Sequence, residues 1–340
     1  MESVYYEASK PGSYGGVRPL ARYGGMPVKT VKGWLETQDT YTLHKPITKK
    51  FPRRKTFAKG IDDLFQADLA DMTSYNDGHS YILTCIDVFS RYAFAVPIKD
   101  KRGSTVAVAF EKIFAERVPN MLQTDRGTEF LNVQVQGVFR KYKIHHYFSL
   151  NDDIKAALIE RFNRTLKSRL FRYMTRHHTS RWVDVLDDVV KSYNRSHHRS
   201  IGTAPIDVTP ENEDEIARRQ YPPKPPLTYR YDVGDRVRIA KYKHVFQKGY
   251  LPNWTEEIFV IADRYPTHPV TYGLRDLSGE DIRGKFYEQE IQKVTKTDDD
   301  IYEVEKVLKT RKRGGKVEYF VKWKGFPDKF NSWVTDILKQ

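Results

Sequence analysis

Cysteine is almost missing from this chain: Cys85 is the one thiol in 340 residues. A disulfide framework is thereby excluded, and so is any cysteine-based zinc finger. Cys85 lies in the apolar run Tyr81–Ile86, where a small buried hydrophobe is the expected role. No apolar stretch approaches the roughly 18 residues of a membrane span, and no basic-then-apolar segment marks a signal peptide. These absences set the expectation of an intracellular, reducing compartment and no membrane partner. Acid is in deficit as well, since 44 Asp and Glu face 58 Lys and Arg, for a net charge of +14. That excess points to a polyanionic partner, most simply nucleic acid, and 22 Tyr and 18 Phe add stacking capacity. Solubility alone is the plainer reading of the same charge.

What is present divides the chain into four stretches. Residues 1–60 are Gly-, Tyr- and Pro-rich at first and read as a partly disordered basic segment, with one short helix near Val31–Thr37. The run Lys49–Lys55 reads as a solvated linker, a nucleic-acid contact or a nuclear-import signal. Across 61–220, strands are expected at Leu64–Ala70, Ser80–Val88, Arg91–Ile98, Asn120–Thr124 and Lys143–Ser149. Helices are expected at Gly103–Arg117, Val133–Tyr142, about Asp153–Tyr173 and about Arg181–Asn194, with an N-cap from Asn151 to Asp153. Three strands followed by alternating helix and strand make a layered α/β core. The Pro-rich stretch Tyr221–Pro226 marks a boundary. Short strands within 221–296 then predict a small all-β barrel of the Src-homology-3-like kind. After a linker at Thr297–Asp300, strands at Tyr302–Lys309 and Lys316–Lys324 predict a compact β module over 301–340.

Three acids stand in distinctive settings. Asp68 interrupts the apolar strand Leu64–Ala70, where a lone carboxylate is costly unless paired or metal-bound. Period-2 alternation puts it on one face with Gln66 and Ala70. Asp125 closes Met121–Asp125, ahead of Arg126-Gly127-Thr128-Glu129-Phe130. Glu160 lies on an amphipathic helix whose apolar stripe is Leu158, Phe162, Leu166 and Leu170. Glu160, Arg164 and Lys167 share another face of that helix, which suits a phosphate backbone lying along it. The ordinary alternatives are a surface Glu–Arg pair for Glu160 and a strand-to-helix turn for Asp125. If the three converge, divalent cations are the natural way to keep crowded carboxylates ionised. Two such ions can clamp the oxygens of a phosphodiester displacement. Asp71, Asp87 and Glu129 read as turn, strand-edge and helix-cap residues, with Glu129 near enough to matter.

These residues resemble the D,D-35-E core of retroviral-type integrases, with separations of 57 and 35 residues and one residue fewer in the final gap. Ile86–Tyr92, Thr124–Phe130 and Glu160–Lys167 carry the likeness. The match is narrower with integrases of Maverick/Polinton DNA transposons, through Trp34–Pro46 before the core and Phe246–Trp254 after it. Tyr302–Leu308 with Tyr319–Phe326 resembles a chromodomain, shortened here because the chain stops at Gln340 before its closing helix. The likeness covers about residues 4–340.

The resemblance implies a ribonuclease-H-like catalytic core and two Mg²⁺ or Mn²⁺ ions held by Asp68, Asp125 and Glu160. It implies processing of transposon DNA ends and their joining to target DNA by an oligomer in the nucleus. Lys155, Arg164 and Lys167 become the expected DNA contacts. Tyr302, Trp323 and Phe326 become the cage for a methylated lysine of a histone tail, with ordinary aromatic packing as the alternative. No zinc is expected, because His177-His178 and His197-His198 are adjacent pairs whose side chains diverge on a helix. A catalytically idle, host-retained DNA or chromatin binder and a plain nuclease on the same fold are the rival readings.

Overall fold

The structure is a computed structural model that describes residues 1–48, 50–75, 78–148, 157–241, 250–295 and 302–335. Two compact units divide it: Lys55–Pro225, and Met1–Arg54 together with Pro226–Gln340. Residues 1–54 thus pack with those from 226 onward, and do not stand as a segment of their own.

The N-terminal residues are more ordered than their composition suggests. Four helices form: α1 (Glu2–Tyr5), α2 (Val17–Gly24), α3 (Val28–Leu35) and α4 (Asp39–His44). Their core is Tyr5, Leu20, Val31 and Leu35, each at most 1% exposed. Trp34 meets the Tyr5 ring edge-on at 5.3 Å. Four apolar side chains scattered over 31 positions make no periodic signal, and only tertiary contact reveals them.

The unit Lys55–Pro225 is built on β1 (Leu64–Asp71), β2 (Tyr81–Asp87), β3 (Ala93–Ile98), β4 (Met121–Thr124) and β5 (His145–Phe148). Helices α5 (Gly103–Phe114), α6 (Thr128–Leu131), α7 (Val133–Lys141), α8 (Ala157–His177), α9 (Val183–Asn194) and α10 (Glu213–Gln220) surround it. The sheet order is β3-β2-β1-β4-β5, antiparallel on the β2 side of β1 and parallel on the β4 side. Alternation along β1 sorts the layers. Phe65 and Ala67 join Leu83, Cys85, Phe110 and Phe139 under α5 and α7. Ala70 joins Ile82, Ile86 and the α8 stripe Ile159, Phe162, Leu166, Leu170 and Met174 on the other face. Cys85 is fully buried, as a small hydrophobe should be. Asp87 departs from its expected strand-edge role: it is 0% exposed, accepts from Phe89 N–H at 3.0 Å, and pairs with Arg117 at 3.0 Å.

In the other unit, β6 (Arg236–Ile239), β7 (Phe259–Tyr265), β8 (Thr271–Asp276), β9 (Asp281–Tyr287) and β10 (Ile291–Lys293) form an antiparallel sheet ordered β10-β6-β7-β8-β9. Val237, Ile261, Tyr272, Leu274 and Ile291 are its core. Arg238 is only 2% exposed, yet it donates to Asp39 at 2.6 Å and to the Thr255 and Glu256 carbonyls. A buried guanidinium needs such partners, and here they tie α4 to the sheet. The expected linker around Arg53 and Arg54 is tied down too: Arg53 pairs with Glu290 at 3.2 Å and Arg54 N–H donates to the Tyr287 hydroxyl at 2.9 Å. Finally β11 (Val304–Arg313), β12 (Lys316–Trp323) and β13 (Ser332–Val334) make a three-stranded antiparallel sheet. Among the described residues no helix is long and apolar enough to cross a membrane.

Candidate active site

The spacing of the two aspartates is the register of the sheet. Strands β1 and β4 run parallel with Gln66 opposite Gln123, and the amides of this pair bond at 2.9 Å. Asp68 lies two residues further along β1, so alternation returns it to the face of Gln66, and Asp125 is the residue that follows the last one of β4. That face is covered by α8. Gln66 Oε1 accepts the Ile159 N–H at 3.2 Å, one of the first-turn amides that has no partner within its own helix. Glu160 is the next residue. One turn on, Asn163 Nδ2 donates to Asp68 Oδ2 at 2.8 Å, while Asp68 Oδ1 accepts the Leu69 N–H at 2.8 Å.

The charges are coupled. Burial raises the Asp68 carboxyl above its ordinary range, and the negative charges of Asp125 and Glu160 push it further up, against hydrogen bonds from Leu69 and Asn163. Asp68 therefore feels both other members of the trio. Among the described residues, no three acidic, imidazole or thiol side chains close tightly enough to enclose an ion. The oxygen donors are of the right chemistry for a hard dication, and the charges of Asp125 and Glu160 both act on Asp68.

Asp125 is exposed, and its Oδ1 accepts the Gly127 N–H at 2.9 Å in a turn. Gly127 brings the turn close to two carboxylates: a Cβ would lie 2.6 Å from the Glu129 carboxyl carbon and 3.0 Å from Asp125 Oδ1. Glu129 is thus a neighbour of Asp125 across Gly127, and it also faces Lys101 at 3.6 Å. Behind the turn runs a polar chain. Gln136 Nε2 donates to the Phe130 carbonyl at 2.8 Å and contacts His146 Nδ1 at 2.9 Å. With Nδ1 accepting, His146 Nε2–H donates to Thr124 Oγ1 at 2.9 Å, and the Thr124 hydroxyl donates to the Asp125 carbonyl at 2.7 Å. Burial, with a smaller contribution from His145, lowers the His146 pKa from 6.5 to about 4, so the ring is the neutral link this chain requires.

The remaining expected residues fall as follows. Arg164 is exposed on α8. Lys167 is half-buried, with Nζ donating to the Asp71 carbonyl at 2.6 Å. Lys155 and the expected cap at 151–153 lie outside the described residues. Tyr302 meets Trp323 at 6.2 Å and Phe326 at 5.4 Å, both edge-on. Phe326 is 9% exposed, and Trp323 Nε1 donates to Ser332 Oγ at 3.0 Å. Gln66, Gln123, Asn163 and His146 were not singled out in the sequence. Two of them leave a trace there, since Gln66 and Gln123 each stand two residues before an aspartate and are polar within apolar strands.

Residues 62–151 match the integrase core domain family, and residues 302–340 match the Chromo (chromatin organisation modifier) domain family. A transposon-derived protein of Caenorhabditis elegans is 40% identical over 187 residues, which is 54% of this chain and 63% of that protein. Heterochromatin protein 1 of Drosophila melanogaster is 56% identical over 32 residues, 9% of this chain and 16% of the fly protein. The chain therefore spans less than two thirds of either relative. A chain of the simian T-cell lymphotropic virus intasome, solved in complex with a PP2A regulatory subunit, superposes with a TM-score of 0.59 at 13% identity. That superposition covers 80% of this chain and 92% of the viral one. The chain is similar to a retroviral-type integrase core, ribonuclease-H-like with a mixed sheet, followed by antiparallel sheets and a chromodomain-like end.

Proposed function

We propose that this protein is a transposon integrase, of the Maverick/Polinton kind, that processes the 3′ ends of element DNA and joins them to target DNA. The observation that carries the reading is Asp68, held by Asn163 of α8 two residues beyond the Gln66–Gln123 pair and within reach of the charges of Asp125 and Glu160. A binding protein has no use for three acids whose proximity costs it stability.

Asp68, Asp125 and Glu160 would hold the Mg²⁺ or Mn²⁺ ions, two in number, through carboxylate oxygens. When bound, the ions supply charge neutralisation at the attacking and leaving oxygens. The chain's own part is alignment. Asn163 holds the Asp68 carboxylate in one orientation, and Gln66 fixes the start of α8 beside it. The Asp125 turn is braced by Gly127 N–H and by the Thr124–His146–Gln136 chain. Arg164 and Lys167, with Lys155 before the helix, would lie along the DNA backbone. Water is the first nucleophile and the freed 3′-hydroxyl the second, with no covalent enzyme intermediate. Tyr302, Trp323 and Phe326 would take a methylated lysine of a histone tail, and the sheet β6–β10 would act as a Src-homology-3-like DNA-binding module. Assembly as an oligomer on DNA in the nucleus completes the proposal.

A joining assay tests it: purified protein, Mn²⁺ or Mg²⁺, a duplex ending in the element's own terminus, and a plasmid target. Joined products support the integrase reading. Cleavage without joining points to a nuclease, and neither product under conditions of DNA binding points to an idle chromatin or DNA binder.

A further inference from the structure

A dense run of positive charge lies outside the unit that carries the carboxylates, on the ribbon formed by β11 and β12. From Lys306 to Val317 there are six cations and no acid: Lys306, Lys309, Arg311, Lys312, Arg313 and Lys316. Residues 305–316 are exposed throughout. Among the described residues, Arg311 alone of the six meets a carboxylate, pairing with Glu318 at 2.5 Å while its guanidinium lies 3.9 Å over the Trp333 ring. The ribbon turns at Gly314-Gly315, both at positive φ (56° and 78°), which gives a tight tip.

The register adds an independent sign that the ribbon suits an anionic partner. Arg313 stands directly opposite Lys316. Like charges in facing positions of an antiparallel pair destabilise it, and an anionic ligand removes that repulsion. We infer that the β11–β12 ribbon is a second nucleic-acid contact, gripping the phosphates of duplex DNA, separate from both the carboxylate site and the aromatic trio. A two-stranded ribbon has the width to enter a major groove. Its four flexible lysines and arginines near the tip fit phosphate contact better than base readout. The module similar to a chromodomain would then hold DNA along one edge while its rings remain available to a peptide.

Lysines on an edge strand also discourage edge-to-edge pairing. That role alone leaves DNA affinity untouched and its loss appears as aggregation. The test uses the full chain, a short DNA duplex of arbitrary sequence, and fluorescence anisotropy across a salt titration. The combined variant Lys309→Gln, Lys312→Gln, Arg313→Gln, Lys316→Gln is compared with wild type. It is also compared with a charge-matched variant at the N-terminal helices (Arg18→Gln, Arg22→Gln, Lys29→Gln, Lys32→Gln). The ribbon variant is expected to bind roughly tenfold or more weakly, with a salt slope shallower by about 3.6, since each of the four phosphate contacts contributes about 0.9. The double variant Arg313→Gln/Lys316→Gln, at exposed tip positions that the fold does not depend on, shows about half that slope change. A ribbon variant that binds as tightly as wild type, or loses no more than the charge-matched variant, overturns the inference. So does a ribbon variant that only aggregates while the tip variant binds normally. Asp68→Asn, which removes the chemistry of the proposed reaction, keeps the ribbon-dependent affinity, so the two readings fail separately.

Discussion

Gln66 Oε1 accepts the backbone N–H of Ile159 at 3.2 Å, and through that bond the strand bearing Asp68 is tied to the first turn of the helix bearing Glu160. The other end of the same amide bonds Gln123, two residues before Asp125. One fully buried side chain therefore touches the supports of all three acids.

Replacing it tests that role. Gln66→Leu keeps the volume and leaves the Ile159 N–H and the Gln123 amide without partners. Each buried unsatisfied group costs about 1–3 kcal/mol, so the melting temperature falls by several degrees. Joining activity falls by more than the folded fraction does, because the start of α8 is no longer pinned. A melt and a joining assay on the same preparation check it, and full activity in a destabilised protein contradicts it.

Asp68→Asn has the opposite effect on stability. The native carboxyl has its pKa raised by burial and by two neighbouring charges. Its contribution to stability is therefore complete below the ordinary carboxylate range and is lost as pH rises through the raised value. At neutral pH in metal-free buffer the amide relieves that cost. Melting rises while joining is abolished. A lower melting point in metal-free buffer contradicts the electrostatic account.

His146 gives a pH signature. Its folded pKa, near 4, lies below the ordinary 6.5, so the unfolded chain binds more protons between those values and stability rises with pH across that window. Acidification from 6.5 to 4 destabilises the fold. Because the ring keeps partial access to solvent, the loss is on the order of 1 kcal/mol and not the full shift. His146→Gln flattens that part of the profile. An unchanged slope, read from denaturant melts at several pH values, refutes the assignment.

The aromatic trio predicts binding of a trimethyl-lysine peptide through ring quadrupoles, each ring contributing about 0.5–2 kcal/mol. Trp323→Ala weakens that peptide roughly tenfold and leaves an unmethylated one unaffected. Equal affinity of wild type and variant assigns the rings to packing alone.

Much of the core was legible because its periods are clean. The alternation of Leu64–Ala70 put Asp68 with Gln66 and Ala70, and Ala70 indeed faces the α8 layer. Phe162, Leu166 and Leu170 follow helical spacing and are buried. The supports of the site were not legible, since Thr124, Gln136 and His146 come from a strand, a helix and another strand. Nothing local distinguishes them from surface polar residues. Of the N-terminal helices only α3 overlaps an expected one, near Val31–Thr37, because Tyr5, Leu20, Val31 and Leu35 acquire meaning only when packed together. Strand β10, Ile291–Lys293, is too short to show a period.

Calorimetric titration with Mn²⁺ at neutral pH bears most directly on the trio of carboxylates. Wild type is expected to bind, and Asp68→Asn, Asp125→Asn and Glu160→Gln each to lose that binding while remaining folded. Absence of binding to the wild type, or binding undiminished in any of the three variants, contradicts the account.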